Sequence, residues 1–206
     1  MKSNVTVSRR KTGRPLSFDR AAALHQAMLV FWRHGYEATS LNDLTAAMGV
    51  TPPSIYTAFG DKKQLFLEAV GLYLSGPVTP DTIIAGAGSA REAAAQLLQV
   101  SAIGFTGPQT PPGCLLASSA ISCSTAAADV QQRLADIRKG IERQLRQRIR
   151  ADIEASKLPR SADAASLAAH VMAVIQGMST LARDGAPRKK LVGLAAIAMA
   201  AWPVSN

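Results

Sequence analysis

Cysteine is scarce in this chain, with two residues, Cys114 and Cys123, among 206. That number excludes the disulfide scaffold of a small secreted protein and suits a reducing cytoplasm. Histidine is nearly as rare, with three residues. His25 and His34 do not share a helical face as a metal-binding pair would. No His, Cys, Asp and Glu cluster has ligand spacing, so neither a metal nor another cofactor is expected. Alternating β-branched runs are missing, which argues against strands. The glycine-bearing GAGSA at 86–90 lacks the lysine and the preceding strand of a phosphate loop. SAIS at 119–122 is not a nucleophile elbow. Cys114, Cys123 and His170 offer a thiolate and an imidazole, but nothing in the sequence brings them together, and small buried cysteines are commoner. These absences disfavour an enzyme. The N-terminal MKSNVTVSRRKTGRP has no apolar segment behind its charges, so no secretory signal is expected. The apolar stretch at 191–204 contains Pro203 and falls short of the roughly 20 residues that a membrane span needs. It is expected to be a buried helix, with no membrane partner.

What the chain does have is apolar content and positive charge. It is 48% hydrophobic with alanine throughout, so an all-α fold with a sizeable core is expected. The net charge of +9 points to a polyanionic partner or an anionic surface. Residues 1–63 and residues 133–160 each hold nine basic and four acidic side chains. The second cluster lies on a long predicted helix and reads as a solvated face.

The most informative stretch is SLNDLTAAMGVTPPSIYTAF at 40–59. Ser40 is a good N-cap, and Asp43 three residues on completes a capping-box-like pair. Leu41, Leu44, Ala47 and Met48 share a face expected to be buried. Gly49 supplies the positive φ that ends a helix sharply. Thr51 is placed to cap the next helix, with Pro52 and Pro53 in its first turn. Ile55 and Phe59 should face inward, leaving Thr51, Pro52, Ser54, Thr57 and the edge of Tyr56 outward. Two short helices about a tight turn, the second with a polar outer face, suit a helix that enters the major groove of DNA. An ordinary helical hairpin in a core shares the same outline.

The flanking residues add a family resemblance. Gly13 to Leu74 resembles the DNA-binding domain of TetR-type transcriptional regulators. The matching residues are GRP at 13–15, LVFWRHGYEATSLNDLTAAMGV at 29–50 and PSIYTAFGDKKQLF at 53–66. The run Phe31, Gly35, Tyr36 and the run Tyr56, Phe59, Lys62, Leu65 are its most specific pieces. The remainder of the chain resembles that family only in helical layout. The resemblance implies an all-α protein: an N-terminal three-helix helix-turn-helix DNA-binding domain, then a larger helical ligand-binding and dimerisation domain. The expected divisions are a flexible basic arm at 1–16, the DNA-binding domain at 17–75 and the effector-binding and dimerisation domain at 76–206. The implied partners are a double-stranded DNA operator, a small-molecule effector and a second copy of the chain.

Site residues follow from these readings. Arg14 lies in the basic arm, which is placed to reach the minor groove or the phosphates. Thr51, Ser54 and Thr57 are candidate base contacts. Pro52 stands where relatives often carry a long polar residue, which shifts weight to thymine methyls. Ser40, Asn42, Tyr56 and Lys62 are candidate phosphate contacts. Lys62 begins a helix at 62–74, where the positive end of the dipole already favours an anion. Further helices are expected at 18–34, 89–105, 114–124, 126–156, 162–183 and 187–202. A linker is expected at 75–88, from its cluster of glycine, proline and serine. Phe105, Leu116, Met172 and Gln176 are candidate effector contacts by apolar character and position. Cys114 follows a proline-rich loop; it is read as a packing residue, with a redox sensor as the alternative. Leu167, Val171, Val174, Met178 and Leu181 step by 3.5 residues on average, the seam of a helix bundle. With Leu194, Ala198 and Trp202 they are the candidate dimer interface; completion of the monomer core is the other reading.

Overall fold

The computed structural model describes residues 18–203, and all of its regular structure is helical. Helices α1 (Arg20–His34), α2 (Leu41–Met48), α3 (Pro52–Phe59) and α4 (Lys62–Leu74) form the N-terminal unit. Asp19 caps α1 by accepting from the amides of Ala21 and Ala22. Ser40 and Asp43 form the reciprocal capping box of α2, and Gly49 closes that helix at φ 65°. Leu44, Met48, Ile55 and Phe59 are buried against α1 and α4, whereas Ala47 is exposed. Phe31 is fully buried and meets Phe66 edge-on, with ring centroids 5.0 Å apart. Tyr36 lies against the same Phe66 ring at 5.0 Å. Arg20 ties α3 to α4: it donates to the Ala58 carbonyl, pairs with Glu68 at 2.7 Å and covers the Phe59 ring.

The second unit holds α5 (Pro80–Gly86), α6 (Ala90–Gly104), α7 (Leu115–Ser118), α8 (Ala128–Glu154), α9 (Ala164–Arg183) and α10 (Arg188–Ala200). Helix α5 falls inside the stretch expected to be a linker. Thr79 and Thr82 form a capping box and Pro80 takes the first helical position, which starts a helix among residues that otherwise read as loop. The helix expected at 114–124 is a single turn, α7, followed by irregular chain and the 3-10 turn Thr125–Ala127. Helix α6 packs against α8, α9 and α10, and α8 packs along α9. Buried Asp152 of α8 accepts from the Ala90 amide at 2.6 Å and so holds the start of α6.

The basic face of α8 is not simply solvated. Arg133, Lys139, Arg143 and Arg150 are exposed, but Arg138, Arg146 and Arg148 are half-buried. Arg148 donates to the Ala87 carbonyl and pairs with Asp152, fixing α5 and α6 to α8.

Candidate DNA interface and effector cavity

Helix α3 presents its outer face to solvent. Thr51, Pro52, Tyr56 and Thr57 are exposed, Tyr56 to 52%, and Ser54 is half-buried. Thr51 does not cap the helix through its side chain. Its hydroxyl meets that of Ser54 at 2.9 Å instead, and the Thr57 hydroxyl donates to the Pro53 carbonyl at 2.9 Å. These hydroxyls are thereby held by short-range hydrogen bonds, and each oxygen keeps a free lone pair. Asn42 and Ser40 are exposed at the start of α2. The Ser40 hydroxyl is committed to Asp43, whose carboxyl is held below its usual range by that hydrogen bond. Lys62 is tethered rather than free. Its ammonium lies over the Tyr36 ring, 4.7 Å from the centroid, and 3.4 Å from the Glu37 carbonyl. Partial burial there lowers its pKa. Arg14 and the basic arm lie outside the described residues.

Behind this surface the two units meet along a polar seam. The Tyr36 amide donates to the Ser119 carbonyl at 2.7 Å, and the Trp32 indole N–H to the Gly113 carbonyl at 3.1 Å. Arg183, at the end of α9, donates to the carbonyls of Trp32 and Arg33, which would otherwise be orphans at the end of α1. Glu37 accepts from the amide and hydroxyl of Ser124, and Lys63 pairs with Asp129. Gly113 sits at φ 82°, and a Cβ there would lie 2.8 Å from the Ser179 carbonyl oxygen. The turn that carries the Trp32 contact therefore accepts only glycine without strain.

A cavity of about 570 Å³ opens beside this seam, walled by residues of α1 and of α4 through α10. Its size is that of small-molecule sites. Phe105, Leu116, Met172 and Gln176, the four residues singled out from sequence, all stand on its wall. So do Trp32, Tyr73, Leu97, Ile141 and Ile175, which sequence reading passed over. Trp32 and Tyr73 belong to α1 and α4 and meet edge-on at 4.9 Å, so the N-terminal unit forms part of the wall. Cys114 is buried in the wall, and burial raises its thiol pKa, which disfavours the reactive thiolate. The short helix α7 touches both regions: Leu116 and Ala117 line the cavity, while Ser119 holds Tyr36.

The expected dimer seam needs correction. Val171, Met178, Ala198 and Trp202 are buried within a single chain. They complete the monomer core, because the apolar stripe of α9 faces α6, α8 and α10. Leu167, Val174, Leu181 and Leu194 are half-buried at the margin. The outward face carries the small residues Ala169, Ala173, Gly177 and Ala196, with Ile197 exposed to 71%. The 3.5-residue step could not tell the two faces apart, since both are apolar. Helix α9 is long and apolar enough to cross a membrane, yet it packs in this helical core with only a third of its most apolar stretch buried.

A helix pair with a polar outer face, held through α1 and α4 to a cavity-bearing helical unit, is the arrangement of a DNA-binding regulator that senses a small molecule. Comparison with known proteins places it. Residues 23–69 match the bacterial regulatory proteins of the tetR family, and residues 92–190 match the tetracyclin repressor-like C-terminal domain. The transcriptional repressor ComR of Escherichia coli (strain K12) is 34% identical over 95% of this chain and 94% of its own length. Cysteine-substituted CifR, a TetR family regulator solved with 26-base-pair operator DNA, superposes with a TM-score of 0.87 at 39% identity, covering 93% of this chain and all of that one. A putative TetR regulator from Rhodococcus sp. RHA1 matches at TM-score 0.62 and 32% identity over 90% of this chain and all of its own. The chain belongs to the TetR family of transcriptional regulators.

Proposed function

We propose that this regulator represses transcription as a homodimer whose two copies of α3 enter successive major grooves of a palindromic operator, and that a small molecule in the cavity releases it. The observation that carries the reading is the outer face of α3, whose hydroxyls are fixed by short-range hydrogen bonds and left uncovered by the rest of the chain. Thr51, Ser54 and Thr57 read base edges, and Pro52 rests against thymine methyls. Ser40, Asn42, Tyr56 and Lys62 position the duplex through its phosphates, and Arg14 extends the contact from the arm. The division between reader and sensor falls near Gly76. The small-residue face of α9 and α10 covers its copy in the dimer, and the protein works in the cytoplasm.

Release follows from the shared position of α7. An effector against Leu116 and Ala117 shifts α7, and the Ser119–Tyr36 hydrogen bond carries that shift to α1. Because the N-terminal unit is tightly packed, it moves as a body and changes the spacing of the paired α3 helices. Ser54→Ala is the test of the reader assignment. It should weaken binding to the cognate site, with little change on a scrambled duplex. Equal loss on both would remove Ser54 from the base contacts.

A further inference from the structure

The cavity wall is mostly apolar, and its charged side chains are of one sign. Among the described residues no Asp or Glu lines it, and two arginines do, Arg138 and Arg188. Arg188 stands beside Thr106, donating to its hydroxyl and its carbonyl. Arg138 comes from α8 and donates one N–H to the Leu116 carbonyl at 2.5 Å. No other acceptor engages its guanidinium among the described residues, and none of the ion pairs there includes it. Arg20 and Arg148 by contrast each face a carboxylate. Desolvation lowers the Arg138 pKa, as burial of an unpaired cation must. On the same wall, the Tyr73 hydroxyl donates to the Cys114 sulfur at 3.4 Å and to no other acceptor among the described residues. A thiol accepts weakly, so this O–H is available to a better partner.

We infer that the effector is a small organic acid, whose apolar body fills the space between Phe105, Ile141 and Met172 and whose carboxylate meets the free edge of Arg138 and the Tyr73 hydroxyl. This rests on the cavity being the effector site. A guanidinium edge matches a carboxylate in two parallel hydrogen bonds. Arg188 is exposed to solvent, whereas Arg138 is half-buried, so the enclosed part of the chamber offers one cation and suits a single negative charge. Pairing with the ligand also relieves the cost of holding Arg138 without a counter-ion. Arg138 holds the Leu116 carbonyl of α7, so a carboxylate that pulls on this side chain acts directly on the helix that reaches Tyr36.

The test is calorimetric binding of decanoate and naphthoate, each beside its neutral counterpart, decanol and naphthalenemethanol, to the full-length protein and to its Arg138→Gln variant. The acids should bind the wild type about tenfold more tightly than the alcohols, the scale of a charge-assisted pair. R138Q should bring acid and alcohol together. Equal binding of acids and alcohols to the wild type would overturn the acid assignment and leave the cavity reading standing. An acid preference that survives in R138Q would overturn the role of Arg138. Binding of none of the four would overturn the acid and the cavity reading together. The comparison within the wild type needs no variant to fold.

Discussion

The two units of this protein solve opposite packing problems. The N-terminal unit is small and aromatic at its centre: Phe31, Phe66, Tyr36 and Phe59 lock four helices together. The larger unit is built around alanines and keeps about 570 Å³ open. A reader of DNA must hold side chains in register along a groove, so it gains from rigidity. A sensor must leave room, and it accepts lower packing density to do so. The seam between them is polar and directional, with Ser119, Gly113 and Arg183 each gripping the end of α1 or the residue beyond it. Directional hydrogen bonds transmit a displacement that loose apolar contact would absorb.

This contrast can be broken at graded cost. Phe31→Ala should remove the keystone of the N-terminal unit, at about 3–5 kcal/mol. Urea unfolding would show it as a lower midpoint, and a loss below about 1 kcal/mol would mean that the unit repacks, contrary to the rigidity assigned to it. Gly113→Ala attacks the seam. The added Cβ meets the Ser179 carbonyl in a left-handed backbone, so a cost of about 1–3 kcal/mol is expected. Hydrogen exchange at the end of α1 should rise in this variant, while the start of α6, held by Asp152, stays protected. Ser40→Ala sharpens the comparison within the reader. Loss of the capping box should cost about 1 kcal/mol, read from the thermal midpoint. Asp43 has a depressed pKa in the folded state, so its share of this stability is present above its unfolded pKa and fades as pH falls through the folded value. The gap between Ser40→Ala and wild type should therefore narrow in acid. Lys62→Ala is the gentlest. It should weaken binding alike on every DNA and reduce the salt slope by about one. Altered base preference would contradict a phosphate role.

The reader was legible because its signals are local. Ser40 and Asp43 lie three residues apart, Gly49 marks a left-handed turn, and Ile55 and Phe59 lie one turn apart on the buried side. Each can be judged within a few residues, and the capping box and the buried pair are as expected. The sensor was only partly legible. Four of its wall residues could be named from apolar character, but Tyr73 and Trp32 join the wall through the packing of α1 and α4 on α7, which no short window contains. Helix α5 was hidden because its Thr79–Thr82 box lies among glycines and prolines. The α9 seam was only partly legible: Val171 and Met178 are covered by their own chain, and a helix apolar on two sides does not say which side that will be. Half-buried Arg148 and Arg138 of α8 were read as solvent charges because their carbonyl partners lie far along the chain, Ala87 61 residues from Arg148 and Leu116 22 from Arg138.

The most direct test of the central claim is titration of the full-length protein against DNA from immediately upstream of its own gene, beside a scrambled duplex, across a salt series. Tight binding confined to the upstream site, with two chains per site and a difference from the scrambled duplex that persists as salt rises, is the expected result. Binding of equal strength on both duplexes, vanishing together with salt, followed by failure of random-sequence selection to yield any preferred site, would contradict it and leave a non-specific DNA binder.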